Sequence, residues 1–171
     1  MHRRDALVFA ALVLAVSASA QSASAPQADL AAAQGAWSGK LTYRDYSRPD
    51  RLVTLPARLF VALSGPSELV FHYVFDDGPS KTVYSYERMT FDFAGNLISW
   101  TSGHPGIKTT QNRIMSSQAQ DGGRVIVFER EDGETKSRYV LSLHPKALSL
   151  GKEESTPSGE FQFRNRYEFS R

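Results

Sequence analysis

The stretch Gly35-Ala36-Trp37-Ser38-Gly39-Lys40-Leu41-Thr42-Tyr43 alternates with a period of two. Trp37, Gly39, Leu41 and Tyr43 share one face, while Ser38, Lys40, Thr42 and Arg44 share the other. One mostly apolar face against one polar face is the pattern of a half-buried β-strand. The same period returns at the far end of the chain. There Phe161, Phe163, Asn165, Tyr167 and Phe169 alternate with Glu160, Gln162, Arg164, Arg166 and Glu168.

Between these two segments the chain is a succession of strand patterns and turn signals. Leu52 to Leu63 places Leu55, Ala57, Leu59, Val61 and Leu63 on one face, with Pro56 inside the run. A proline cannot donate to a ladder, so this strand is bulged there, lies on an edge, or begins after it. Leu69 to Phe75 follows, with Leu69, Phe71, Tyr73 and Phe75 inward and Val70, His72 and Val74 outward. Thr82 to Phe93 alternates less cleanly, with Tyr84 and Tyr86 on one face and Met89, Phe91 and Phe93 in another register. Ala94-Gly95-Asn96 reads as a hairpin turn, and Leu97 to Thr101 returns with Ile98 and Trp100 together. Ser102 to Thr110 reads as a loop before a weak strand around Asn112 to Gln118. Val125 to Arg130 and Lys136 to Leu143 flank Asp132-Gly133, the signal of a type I′ turn. Ala147 to Lys152 is a short strand before the last one.

No segment of the mature chain sustains a helical period, and turn signals recur at the roughly eight-to-twelve-residue spacing of antiparallel folds. The expectation is an all-β domain, an antiparallel up-and-down β-barrel of roughly eight to ten strands whose closure removes exposed edges. A β-sandwich is the alternative.

The chain has 171 residues, no cysteine and a formal net charge of +2. The basic start His2-Arg3-Arg4, the apolar run Ala6 to Val16 and the small residues Ala18-Ser19-Ala20 predict a signal peptide over 1–20. The run is too short for a spanning helix, which needs roughly 20 apolar residues. Residues 21–34, rich in Ala, Ser and Gln, read as a flexible leader with one helical turn over Leu30 to Gln34, and 35–171 as one barrel domain. Cleavage leaves 18 basic against 17 acidic residues, a net of +1, which excludes an electrostatic preference for nucleic acid or an anionic membrane. Without cysteine the product has neither disulfides nor a lipidated first residue, so a periplasmic or extracellular protein with no membrane span is expected.

Gly35-x-Trp37 opening the first strand, a helical turn before it and arginines on the last strand resemble the lipocalin and calycin group of barrels. That resemblance implies that Trp37 closes one end of the barrel, with Arg164 or Arg166 lying across its ring. Haem-binding barrels of the nitrobindin type need a histidine near the carboxyl-terminal strand, and here that strand has none. His72 points outward, His104 and His144 each precede a proline, and none has metal-ligand spacing. No cofactor or metal is expected.

Tyr43, Tyr73, Tyr84, Tyr86, Trp100, Tyr139, Asn165 and Tyr167 fall on predicted inner faces and form the candidate ligand-binding set. A buried tyrosine hydroxyl needs a partner, so this set implies an internal polar network or a cavity for an amphipathic molecule. No Gly-x-Ser-x-Gly, Ser-x-x-Lys or His-Glu-x-x-His is present, so no catalytic residue is assigned. Asp45, Asp92 and Glu129 are the acids that could approach a barrel mouth. Three functions stay open: a non-catalytic exported barrel that binds a small apolar or amphipathic ligand, a solid barrel that docks on an envelope partner, and a barrel-lined isomerase or hydrolase.

Overall fold

Ten strands follow one short helix in the computed structural model, which describes residues 26–103 and 106–171. The predicted signal peptide, residues 21–25 of the leader and His104 lie outside the described residues. The helix α1 spans Pro26–Ala32, and the strands are β1 (Gly35–Arg44), β2 (Leu52–Gly65), β3 (Glu68–Asp76), β4 (Thr82–Asp92) and β5 (Leu97–Gly103). They continue as β6 (Ile107–Gln120), β7 (Gly123–Asp132), β8 (Thr135–His144), β9 (Ala147–Ser155) and β10 (Phe161–Ser170). Each strand pairs antiparallel with the next, and β10 pairs back onto β1 from Ser38↔Ser170 to Tyr43↔Asn165. The sheet is a closed up-and-down barrel, as the alternation predicts.

The two ends of the barrel differ. The end built from the starts of β1 and β7 and the finishes of β4 and β10 is packed with Leu59, Val61, Leu69, Phe71, Met89, Phe91, Ile98, Ile126, Leu141, Leu148 and Phe169, all buried. Helix α1 plugs it. Proline at the helix start costs no hydrogen bond, because the first turn has unpaired N–H groups in any case. Leu30 and Ala33 are buried, and Asp29 forms a buried ion pair with Arg124 Nε at 2.7 Å. Arg124 also donates to Ser117 Oγ at 3.1 Å. Residues 26–34 are thus a docked cap, where sequence composition predicted a flexible leader. Its polar and small residues hide the one leucine and one aspartate that the barrel end receives.

Trp37 is buried beside the cap, and its indole N–H donates to Ala33 O at 2.9 Å. The cation across its ring is Arg171, 4.1 Å from the ring centroid, and neither Arg164 nor Arg166. The register gives the reason. Trp37 stands at the start of β1 and faces the finish of β10, while Arg166 pairs with Thr42 and Asn165 with Tyr43, near the other end. Arg171 also donates to Pro145 O at 2.9 Å, Gln34 O at 2.5 Å and Ala32 O at 2.7 Å, so one guanidinium ties helix, turn and ring together.

Pro56 lies within β2 and is paired with Lys40 of β1, but the β2–β3 ladder begins only at Ala57↔Phe75. On that side β2 is locally an edge, which is where a strand tolerates proline. The wall therefore opens between β2 and β3 toward the far end. Among the turns, Asn96 has φ 55°, as the predicted hairpin requires. Asp121 (φ 49°) and Gly122 (φ 74°) have the two positive angles of a type I′ turn. In the Gly133-Glu134 turn only Gly133 is left-handed (φ 65°), which is the type II′ pattern and corrects the predicted type I′. The segment expected to be a loop from Ser102 to Thr110 largely belongs to β5 and β6.

Truncating a buried aromatic typically costs about 3–5 kcal/mol, so Trp37→Ala is expected to lower the unfolding free energy by that amount in urea titrations. Arg171→Met is expected to cost about 1–3 kcal/mol through its charged hydrogen bonds, and Arg166→Met less than about 0.5 kcal/mol. Equal costs for the two arginines would show that Arg171 does not hold the cap.

Candidate functional site

Toward the open end the inward side chains change character. Each of five consecutive strands, β3 to β7, presents one buried polar atom that has no hydrogen-bond partner within the protein. These are the Tyr73 hydroxyl, Glu87 Oε2, Trp100 Nε1, Asn112 Oδ1 and Arg130 Nε. They make up all the unpartnered buried side-chain atoms found among the described residues, and the strand alternation turns all five residues toward the barrel interior. Neighbouring pairs keep them near one level: Met89↔Trp100 and Ile98↔Asn112 are in register, and Ile114↔Phe128 puts Asn112 beside Arg130. Asn112 is oriented by its amide nitrogen, which donates to Ile98 O at 3.2 Å.

Aromatic rings complete the ring of side chains. Tyr167 lies 4.9 Å from Tyr73, Trp100 meets Tyr139 edge-on at 4.9 Å, and Tyr139 stacks on Phe128 at 5.0 Å. The buried carboxyl of Glu87 is pushed up to about 7 by desolvation, and the nearby Trp100 indole N–H opposes this by favouring the charged form. That N–H is close enough to act electrostatically but is not aligned for a hydrogen bond. The Tyr73 hydroxyl is pushed well above its ordinary value by burial and by the Glu87 charge, and Tyr167 is raised by the same two causes in the same order. Glu87, Tyr73 and Tyr167 therefore sense one another inside the lumen.

Above Tyr167 the lumen opens into a cleft of about 340 Å³, lined by Leu41, Tyr43, Leu55, Phe75, Val83 and Tyr167, with Tyr46, Asp77, Lys81 and Asn165 at its rim. The gap beside Pro56 shapes one wall of it. A larger depression of about 730 Å³ lies on the outside between β1, β2 and the β3–β4 turn, lined by Ser38, Pro56, Arg58, Val74 and Pro79 among others. None of the five unpartnered groups lines either depression directly, but the smaller cleft is floored by Tyr167 and Phe75, whose rings pack on Tyr73 at 4.9 and 5.8 Å, so it is the better candidate. On the opposite wall two cross-strand rows project into the lumen: Phe128, Tyr139, Lys152 and Asn165, then Arg130, Ser137, Glu154 and Gln162.

Of the candidate residues, the structure brings Tyr43, Tyr73, Trp100, Tyr139, Asn165 and Tyr167 to the lumen or its mouth. Tyr84 and Tyr86 are on the outer wall, 65% and 37% exposed, which corrects their predicted inward placement. The odd-numbered register of Met89 and Phe91 continues unbroken to Glu87, Ser85 and Val83, so the even-numbered tyrosines face out. The signal for Glu87 was thus present in the period. It was obscured because two aromatics beside it looked like the core. His72 is outward as expected, edge-on to Tyr86 at 5.8 Å, and Phe60, His72 and Tyr86 form an exposed cross-strand row.

Arg164 sits at the mouth, where the register shift between Phe163 and Asn165 frees it to stack over Tyr46 at 4.1 Å and to donate to Arg44 O. Arg166 lies on the outside over Gly151. Of the three acids considered, Asp45 is in the β1–β2 loop at the open end. Hydrogen bonds from the Ser47 hydroxyl and backbone hold its carboxyl below the ordinary range. Asp92 accepts from Gly95 N in a turn at the closed end, and Glu129 pairs with Arg138 on the outer wall at 2.8 Å, so neither approaches the mouth. Asn112, Arg130 and Lys152 carried no signal, because single polar residues in a strand are equally common on its solvent face.

Glu87 makes stability depend on pH. The folded carboxyl keeps its proton up to about pH 7, while the unfolded one releases it near its ordinary 4.5. Its contribution is therefore fully present below that lower value and is lost as pH rises toward neutrality. Between about pH 5 and pH 8, thermal or urea unfolding is expected to show the native protein losing about 1–3 kcal/mol that Glu87→Gln does not lose. Parallel pH profiles for the two proteins would show that Glu87 is not desolvated.

No protein-family model and no curated protein matches the chain, so the functional reading rests on the barrel and its lumen.

Proposed function

We propose that this protein is an exported, non-catalytic β-barrel that holds a small amphipathic molecule in its open-end lumen. The observation that carries the reading is the tier of five buried, unpartnered polar atoms on β3 to β7. Leaving such a group without a partner costs about 1–3 kcal/mol, and a purely structural core would place leucine or valine there. A guest with both accepting and donating groups recovers that cost. It can accept from Trp100, Arg130 and Tyr73 and donate to Asn112 Oδ1 and Glu87. Its apolar part fits against Leu41, Leu55, Phe75 and Val83 in a cleft whose volume is within the roughly 300–1,000 Å³ of small-molecule sites.

Export is supported by the signal pattern over 1–20, and among the described residues no helix is long and apolar enough to cross a membrane. Kinship with the lipocalin and calycin group is part of the same proposal. It is supported by the closed antiparallel barrel, the helix ahead of Gly35-x-Trp37 and a cation on the Trp37 ring, here Arg171.

Glu87 favours a second reading. A desolvated carboxyl that titrates near neutrality inside a cavity is suited to general acid–base work, with Tyr73 and Trp100 as donors toward a developing negative charge. Turnover with a pH profile that breaks near 7 and is abolished in Glu87→Gln would establish it.

For the binding reading, native mass spectrometry of protein purified without detergent is expected to show a bound small molecule. Tyr73→Phe, which deletes an unpartnered hydroxyl, is expected to retain less of it while gaining about 1 kcal/mol of stability when empty. A bare wild-type mass, together with a Tyr73→Phe variant less stable than wild type, would identify the tier as ordinary core.

A further inference from the structure

Three cations stand on the β7–β10 side of the lumen near its mouth. They are Arg130, Lys152 and Arg164, with side chains only 20%, 22% and 15% exposed. Two carboxylates serve them. Asp132 is 3.3 Å from Arg130 Nη2, and Glu154 is shared, 2.5 Å from Lys152 Nζ and 3.8 Å from Arg164 Nε. Arg130 Nε, buried, has no partner within the protein. Glu87 does not balance the sector. It is on β4, and the influences on its titration are burial and the Trp100 indole, with no cation among them.

One positive charge in this partly buried group is thus uncompensated, and taking a cation out of water is unfavourable without a counter-charge. The sector adjoins the cleft at two points. Lys152 is opposite Asn165 in register, and Arg164 covers Tyr46, and both Asn165 and Tyr46 border the cleft. The opposite wall, Leu41, Leu55, Phe75 and Val83, is apolar, and the two charges at its rim, Asp77 and Lys81, pair with each other. The mouth is therefore cationic on one side and apolar on the other.

We infer that the lumen selects a monoanionic amphiphile, a carboxylate or similarly charged head on an apolar body. The head lies among Arg130, Lys152 and Arg164, and the body lies against the apolar wall. This rests on the ligand-binding reading above and adds the sign and position of the ligand's charge.

Calorimetric titration of the full chain with octanoate, octanol and octylamine tests it, because the three share one chain and differ in head charge. Octanoate is expected to bind roughly tenfold tighter than octanol, the scale of one charge-assisted contact, and octylamine weakest. The octanoate advantage is expected to shrink to within about twofold in Lys152→Gln and in Arg130→Gln, two separate variants with folding checked by circular dichroism, and to fall with added salt. Octanol binding as tightly as octanoate, or octylamine binding tighter, overturns the inference while leaving the binding reading in place. Failure of all three to bind overturns both.

Discussion

Closure of the sheet between β1 and β10 is the constraint on which everything else depends. It brings the first and last strands of the domain together, removes both edges, and turns ten half-buried strands into one wall with an inside. Closure at this seam requires Gly39. A Cβ at that position would lie 1.9 Å from Glu168 O, so any side chain would force the two strands apart. The second fastening is Arg171. By binding the carbonyls of Ala32, Gln34 and Pro145 beside the Trp37 ring, it secures the finish of β10 to the cap that precedes β1.

The closed end and the open end divide stability from function. The closed end holds an aliphatic core, a docked helix and a buried ion pair whose charges are close and hydrogen-bonded, Asp29 with Arg124. From the level of Met89 and Ile98 toward the open end lie the unpartnered buried groups, the one strongly desolvated carboxyl found among the described residues, and a cation sector with fewer anions than cations. Concentrating such costs in one region is the pattern expected when a site is built into a fold that other parts keep stable.

Two local irregularities shape that open end. Pro56 ends the β2–β3 ladder early and opens the wall beside Leu55 and Phe75. The register shift in β10 turns Phe161 to the outer wall, where Arg138 covers it at 3.7 Å, and brings Arg164 round to the mouth. Without the shift, strict alternation from Phe169 would carry Phe163 and Phe161 inward and fill the mouth with phenylalanine. The near-perfect alternation of 160–170 in the sequence conceals this, because a shift in pairing leaves the residue order untouched.

The sequence by itself determined the all-β class, the antiparallel meander, most strand positions and the inward placement of Tyr73, Trp100, Tyr139 and Tyr167. These follow from a period of two and from turn residues, which are local properties of backbone geometry. Glu87 was also legible in principle, on the same face as Met89 and Phe91. Only the tertiary structure decided which arginine meets Trp37, that residues 26–34 form a cap, that Tyr84 and Tyr86 face out, and that five single polar residues on five strands are buried in the barrel interior without a partner. Those facts depend on register and closure, which pair residues far apart in the chain, and no local pattern of side chains specifies such pairings.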